Sequence, residues 1–195
     1  MTKKRLIVLA SGRGTNFRAL AEGAQSGALK QFDVVGLISN RADSGALKIA
    51  QSLKVPTYLI ESAHYFQDKS QGKLLYNRVL KELLVSLRPD LIALAGYMLI
   101  LDPLIVDTFK NKILNIHPSL LPKHPGLHPQ KRALEAHDEK TGCTVHWVTH
   151  ELDAGPTLLQ KSLSILPEDT EESLTKRLLE VEHLAYLEAL NLLGH

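Results

Sequence analysis

The sequence predicts an α/β protein: a parallel sheet in the N-terminal part, extended by antiparallel C-terminal strands, with helices on both faces. Three observations carry this reading. Short apolar, β-branched runs alternate with helical patterns between residues 6 and 116. Those runs are apolar at successive positions, as strands buried on both faces are. Beyond residue 142 the pattern changes to two alternating stretches joined by a Gly/Pro turn, as in an antiparallel pair.

The elements follow in order. Residues 6–10 read as a buried strand and 16–29 as the helix after it. A second strand is expected over 34–39, a helix over 44–53 and a short third strand over 57–60. Residues 71–87 form a long amphipathic pattern, with Leu75, Val79, Leu83 and Leu87 recurring every four residues. A strand over 91–95, a short helix over 103–109 and a fifth strand over 113–116 come next. Residues 129–137 read as helical; 143–149 and 157–166 alternate about a turn at Asp153-Ala154-Gly155-Pro156. The last helix begins near Asp169 or Thr170, either of which can cap it, with Glu171 and Glu172 in its first turn. Its apolar face is Leu174, Leu178, Val181, Ala185 and Leu192.

The chain has 195 residues, 44% hydrophobic and 23% charged, which suits one globular domain over 1–195 with a sizeable core. No apolar run approaches the roughly 20 residues of a membrane span. The basic start, Met1-Thr-Lys-Lys-Arg5, precedes too short an apolar segment for a signal peptide, so a cytoplasmic location is expected. The single cysteine, Cys143, excludes an internal disulfide and a cysteine-based metal site; it reads as a small buried apolar residue. Net charge is +2 and aromatics are 5%, which gives neither a basic footprint nor a stacking platform for nucleic acid. The expected partner is a small molecule, with no membrane and no nucleic acid.

The first strand runs through Ser11-Gly12-Arg13-Gly14-Thr15-Asn16 into a helix. Glycines let backbone N–H groups turn inward, and the helix N-terminus adds partial positive charge, so the segment suits phosphate. A dinucleotide site fits less well. Phe17 stands where a third glycine belongs, and the second strand ends in Ser39-Asn40-Arg41 without an acidic residue for a ribose. Thr15 and Asn16 supply side-chain donors instead, which suits a single phosphate.

The fifth strand runs into Asn115-Ile116-His117-Pro118-Ser119. Residues i and i+2 of a strand share a face, about 6.5 Å apart, so Asn115 and His117 point into one space. An amide donor there suits an oxyanion, and an imidazole suits proton transfer near neutral pH. Asp153, in the later turn, is a carboxylate a loop can return to His117 to orient its ring. Six of the nine histidines fall between His117 and His150, but His124 and His128 flank Pro125-Gly126, so their spacing is not helical and no metal is expected. His128 reads equally as a site or a solvent residue. His146 leans to a structural role. Glu182, at the margin of the apolar face, reads by pattern alone as a solvated helix residue.

Five segments together resemble the folate-dependent formyltransferases: Ser11-Gly-Arg-Gly-Thr-Asn16, Ala95-Gly-Tyr-Met98, Asn115-Ile-His-Pro-Ser-Leu-Leu-Pro122, Gly142-Cys-Thr-Val-His146 and Glu151-Leu-Asp-Ala-Gly-Pro156. The resemblance spans essentially the whole chain. The opening loop and the short length point, within that group, to the glycinamide ribonucleotide transformylases, also called phosphoribosylglycinamide formyltransferases. It implies a Rossmann-like formyltransferase fold, with a phosphate-binding half over about 1–100 and a catalytic and folate half over about 101–195. It also implies formyl transfer from 10-formyltetrahydrofolate, as co-substrate, to the amine of glycinamide ribonucleotide in purine synthesis, without a metal, by a monomer or homodimer. Asn115 then stabilises the oxyanion, His117 carries the proton and Asp153 pairs with His117. Gly14, Thr15 and Asn16 match the phosphate turn, and Glu182 a ribose-binding residue. Met98, Leu99, Ile100 and Leu101, with Asn115, Thr149, His150, Glu151, Leu152 and Asp153, match the pterin pocket, and Lys73 a basic residue for the folate tail. Two positions depart from the family: Leu99 stands where many members have arginine, and Lys73 where arginine is common. Lysine lacks the planar fork that grips a carboxylate at two points.

Overall fold

A computed structural model describes residues 2–193. Its elements are β1 (Lys4–Leu9), α1 (Thr15–Ser26), β2 (Phe32–Ser39), α2 (Gly45–Ser52), β3 (Thr57–Leu59), α3 (Ser62–Tyr65), α4 (Gly72–Leu87), β4 (Leu91–Leu94), α5 (Pro103–Thr108), β5 (Ile113–His117), α6 (Pro129–Glu135), β6 (Lys140–Trp147), β7 (Thr157–Ser164) and α7 (Glu171–Leu192). The strands form one sheet of seven in the order β3-β2-β1-β4-β5-β6-β7. Pairing is parallel from β3 to β5 and antiparallel from β5 through β6 to β7. The expected parallel sheet with an antiparallel extension is therefore the observed one.

Alternation along the strands feeds two cores. Leu6 and Val8 of β1 join Leu114 and Ile116 of β5 on the face covered by α1, α2 and α7. Ile7 and Leu9, with Ile92 and Ile113, pack under α4 and α5. The fully buried Tyr186 of α7 donates its hydroxyl to the carbonyls of Leu94 and Leu114, tying the last helix across β4 and β5. Strand order reverses between β1 and β4, and in open α/β sheets such a point opens a crevice at the strands' carboxyl ends.

The structure corrects several expectations. The buried face of α4 is Tyr76, Leu80 and Leu84, one residue round from the expected stripe, and Leu75 is exposed. On α7 the face runs through Leu174, Leu178, Ala185, Tyr186, Ala189 and Leu190, which leaves Leu192 exposed. β6 begins at Lys140, before the alternating stretch, and the short α3 has no apolar period to announce it. Thr170 is the N-cap of α7, in a capping box closed by Ser173.

Candidate active site

A cleft of about 790 Å³ opens at the carboxyl ends of β1, β4 and β5. Residues 11–16, 94–101, 115–118, 126–130, 146 and 148–153 line it, and Glu171, Thr175, Leu179 and Glu182 of α7 close one side.

At the glycine-loop end, Gly14 caps α1 with φ +81°. A Cβ there would meet the Ala46 Cα at 2.5 Å, so both backbone and space require glycine. α1 starts with no side-chain cap and no acidic residue in its first turn, which leaves its N–H groups for an anion. Asn16 is not a free donor, however. Its Nδ2 donates to Glu182 Oε2 at 2.7 Å, and its own Oδ1 is buried without a protein partner. Glu182 is only 5% exposed, which overturns the solvated reading. Burial pushes its carboxyl up to about 7, against the opposing pull of the Asn16 hydrogen bond and the Arg13 charge. A helix-period pattern could not show this, because the partner comes from α1, 166 positions away.

At the centre of the cleft, register builds the polar face. Asn115 pairs with His146 across β5 and β6, and His117 with Thr144, so all four lie on one side of the sheet. His146 is buried. Its Nδ1–H donates to the Trp147 carbonyl at 3.0 Å, which leaves Nε2 to accept from Asn115 Nδ2 at 3.3 Å. Burial lowers its pKa, which favours this neutral ring. His146 thus faces the site, where the sequence leaned to a structural reading.

Asp153 does return to His117. Its Oδ2 lies 3.3 Å from His117 Nδ1 and accepts from the Gly126 N–H at 2.8 Å. Its Oδ1 lies 3.5 Å from Asn115 Nδ2. The two side chains of the pair are 7% and 6% exposed, so solvent screens their interaction little. Asp153 holds φ +52°, a left-handed conformation that aspartate tolerates better than most residues. The other ring nitrogen of His117, Nε2, lies 2.9 Å from the carbonyl of His124.

The remaining end is apolar and open. Met98, Ile100, Leu127 and Leu152 are 65%, 64%, 74% and 53% exposed, and all line the cleft. The segment that carries Met98 is held from behind. The Met98 N–H donates to Ser11 Oγ at 3.0 Å, and Ser11 donates to Asn40 Oδ1 at 2.5 Å. Tyr97 pairs its hydroxyl with that of Tyr76, and burial raises the latter's pKa to about 12. Leu99 is half-buried against the second core, and Leu101 is buried in it. Thr149, His150 and Glu151 line the exposed rim, where His150 pairs with Asp107 at 2.8 Å. Thr15 lines the glycine-loop end. Lys73 does not line the cleft; it is exposed in the first turn of α4.

The model of the formyl transferase family matches residues 4–190. The chain belongs to the formyl transferase family. Among the members, it is 37% identical over 181 residues to the phosphoribosylglycinamide formyltransferase of Escherichia coli strain K12, covering 93% of this chain and 82% of that one. It is 40% identical to the glycinamide ribonucleotide transformylase 1 of Symbiobacterium toebii, whose crystal structure superposes with a TM-score of 0.91 over 98% of this chain and 88% of that one. It also matches the trifunctional purine biosynthetic protein adenosine-3 of Drosophila melanogaster, 40% identical over 98% of this chain. There the chain spans 14% of the relative's length.

Within this family member, the structure brings Gly14, Thr15, Asn16, Glu182, Asn115, His117 and Asp153 to one cleft and leaves Lys73 apart. The sequence reading missed the part played by His146. Its alternation with Val145 and Trp147 was the available signal, but only the register with β5 decides which face it takes. His128 lines the cleft at the start of α6, mostly exposed, with Nδ1 3.6 Å from Glu171. Among the described residues no three His, Cys, Asp or Glu side chains are grouped to hold a metal, and no helix is long and apolar enough to cross a membrane.

Proposed function

We propose that the chain transfers the formyl group of 10-formyltetrahydrofolate to the amine of glycinamide ribonucleotide, giving formylglycinamide ribonucleotide and tetrahydrofolate in purine synthesis. The observation that carries this reading is the buried His117–Asp153 pair beside Asn115, in one cleft with a glycine loop. The names of the relatives agree with it.

The glycine loop and the first turn of α1 receive the phosphate through backbone N–H groups and Thr15. Glu182 and the unpartnered Asn16 Oδ1 accept from the ribose hydroxyls. The exposed apolar residues at the far end cover the pterin ring, with the 98–101 and 149–153 segments on either side. This places the substrate amine against the formyl carbon, held for attack instead of meeting by diffusion.

As the amine adds, negative charge gathers on the formyl oxygen. Asn115 Nδ2–H is the donor that meets it, exchanging its 3.5 Å contact to Asp153 for a shorter bond. A carboxylate in its place would repel the same charge. His117 carries the proton on Nε2 from the attacking amine toward the departing folate nitrogen. Nε2 exchanges its contact with the His124 carbonyl for the amine, while Asp153 fixes the ring through Nδ1 and balances its charge. No step needs a metal.

A continuous absorbance assay of formyl loss, run with chelator and with or without glycinamide ribonucleotide, tests the proposal. Amine-dependent turnover is the expected result. Consumption of the folate without the amine would indicate a hydrolase instead, and no turnover from folded protein would remove the proposal.

A further inference from the structure

We propose that His124 and Asp138, neither of which lines the cleft, form a positioning pair that holds the loop carrying the hydrogen-bond partners of both His117 and Asp153. The inference rests on the reading of His117 as the proton carrier.

Beyond β5 the chain crosses a loop to α6. Two backbone groups of this loop meet the catalytic pair from opposite sides. The His124 carbonyl lies 2.9 Å from His117 Nε2, and the Gly126 N–H donates to Asp153 Oδ2 at 2.8 Å. With Asp153 on Nδ1 and His124 on Nε2, the ring stands between two acceptors. The loop therefore sets the resting rotation of the ring together with Asp153.

This loop does not hold its shape by regular pairing. Its backbone is left-handed at His124 (φ 53°), Gly126 (φ 79°) and His128 (φ 53°). Such a conformation at a non-glycine residue costs on the order of 1 kcal/mol and persists where the surroundings enforce it. At His124 the enforcing contact is with Asp138. The His124 Nε2 lies 2.7 Å from Asp138 Oδ2, with the two side chains 16% and 14% exposed. Asp138 is itself seated on the scaffold, since its N–H donates to the Ala133 carbonyl of α6 just before β6 begins. The Lys123 ammonium, 2.8 Å from Oδ1, and then His124 hold the Asp138 carboxyl below the usual carboxylate range. Lys123 is 63% exposed, so its pair is screened and adds little to the fixing of the loop. A line of contacts thus runs from Asp138 to the His124 ring, through its carbonyl, to the His117 ring.

Loss of this line leaves the glycine-loop subsite intact and misplaces the proton carrier, while Leu127, on the same loop, moves with it. Displacement of a catalytic group costs about 10- to 100-fold in turnover when binding contacts remain. The test compares His124→Ala, His124→Gln, Asp138→Ala, the double variant and Lys123→Ala in the folded protein. The first and third should lose about 10- to 100-fold in kcat, with KM for the phosphorylated amine within about twofold. The double variant should be no worse than either single one. Glutamine, which keeps a donor for Asp138, should recover most of the loss, and Lys123→Ala should resemble the parent. A long-range proton–nitrogen NMR spectrum of the imidazoles reads the same point without activity: the His117 ring signals should move in His124→Ala and return toward the parent in His124→Gln. A parent that fails to turn over counts against the proposed reaction alone, because the NMR comparison still decides the positioning. Unchanged His117 signals in His124→Ala, kcat within twofold of the parent, or glutamine no better than alanine would overturn the assignment. So would a His124→Ala protein that does not fold, since the contact would then serve the fold.

Discussion

The two ends of the cleft meet their ligands in opposite ways. Beside the glycine loop the polar groups are buried before any ligand arrives: Glu182 and Asn16 are 5% and 8% exposed and already bonded to each other. Beside residues 98–101 the contacts are apolar and mostly in solvent, with Leu127 at 74% and Met98 at 65%. A small charged group needs donors fixed in advance, because ordering them at the moment of binding would consume much of the affinity. A flat ring offers two broad faces to cover, and the exposed side chains supply that area. The His117–Asp153 pair lies between the two ends and belongs to neither, so each part should answer to its own kind of substitution.

The largest effect is expected at the centre. His117→Ala or Asp153→Asn should lower kcat by about 10²- to 10⁴-fold, with KM for both substrates little changed. Steady-state kinetics with both substrates varied checks this, and a variant within a few-fold of the parent would sink the assignment.

At the polar end, Glu182 bears on stability through pH. Its folded pKa of about 7 lies above the ordinary carboxylate value of 4.5, so between these the folded chain binds more protons than the unfolded one. Its contribution to stability therefore falls as pH rises from 4.5 to 7 and is constant above. Glu182→Gln should remove that fall, on the order of 3 kcal/mol, when denaturant midpoints are measured across the range. Identical slopes in parent and variant would contradict it. His146 has the opposite sense: its lowered pKa makes stability fall as pH drops below its ordinary value of 6.5.

Gly14→Ala strains a backbone at φ +81° and drives a methyl against Ala46, at a cost of about 1–3 kcal/mol. It should raise KM for the phosphorylated amine by tenfold or more and spare the folate. Equal losses for both substrates would blur the distinction between the two ends. The smallest effect is expected at the apolar end, where Met98→Ser removes roughly 1 kcal/mol of cover. That change should raise KM for the folate severalfold and leave the amine unaffected.

Much of this was legible in the residues. The buried strands announce themselves because their apolar runs leave no other environment, and Asn115 and His117 share a face by strand geometry alone. The glycine loop and the Asp153 turn carry their own local signals. Glu182 could not be read by pattern, since its burial depends on an amide brought from α1 by the closing of the fold. The rotated face of α4 reflects the same limit: two adjacent apolar stripes compete, and the sheet beneath selects Tyr76, Leu80 and Leu84. The loop from Ser119 to His128 has neither period nor propensity to declare three left-handed residues.

The pairing of β5 with β6 sets Asn115 opposite His146 and His117 opposite Thr144. Because side chains alternate along both strands, this frame has no intermediate setting. One extra residue inside β6 would swing His146 toward the core in place of Cys143 and Val145, and turn the apolar chains of those two toward the substrates. One extra residue in the loop before Lys140 would leave the frame untouched. An extra residue is therefore tolerated on one side of a single position and ruinous on the other, and an insertion scan from the Glu139–Lys140 junction through Trp147 should register the boundary as an abrupt step in activity.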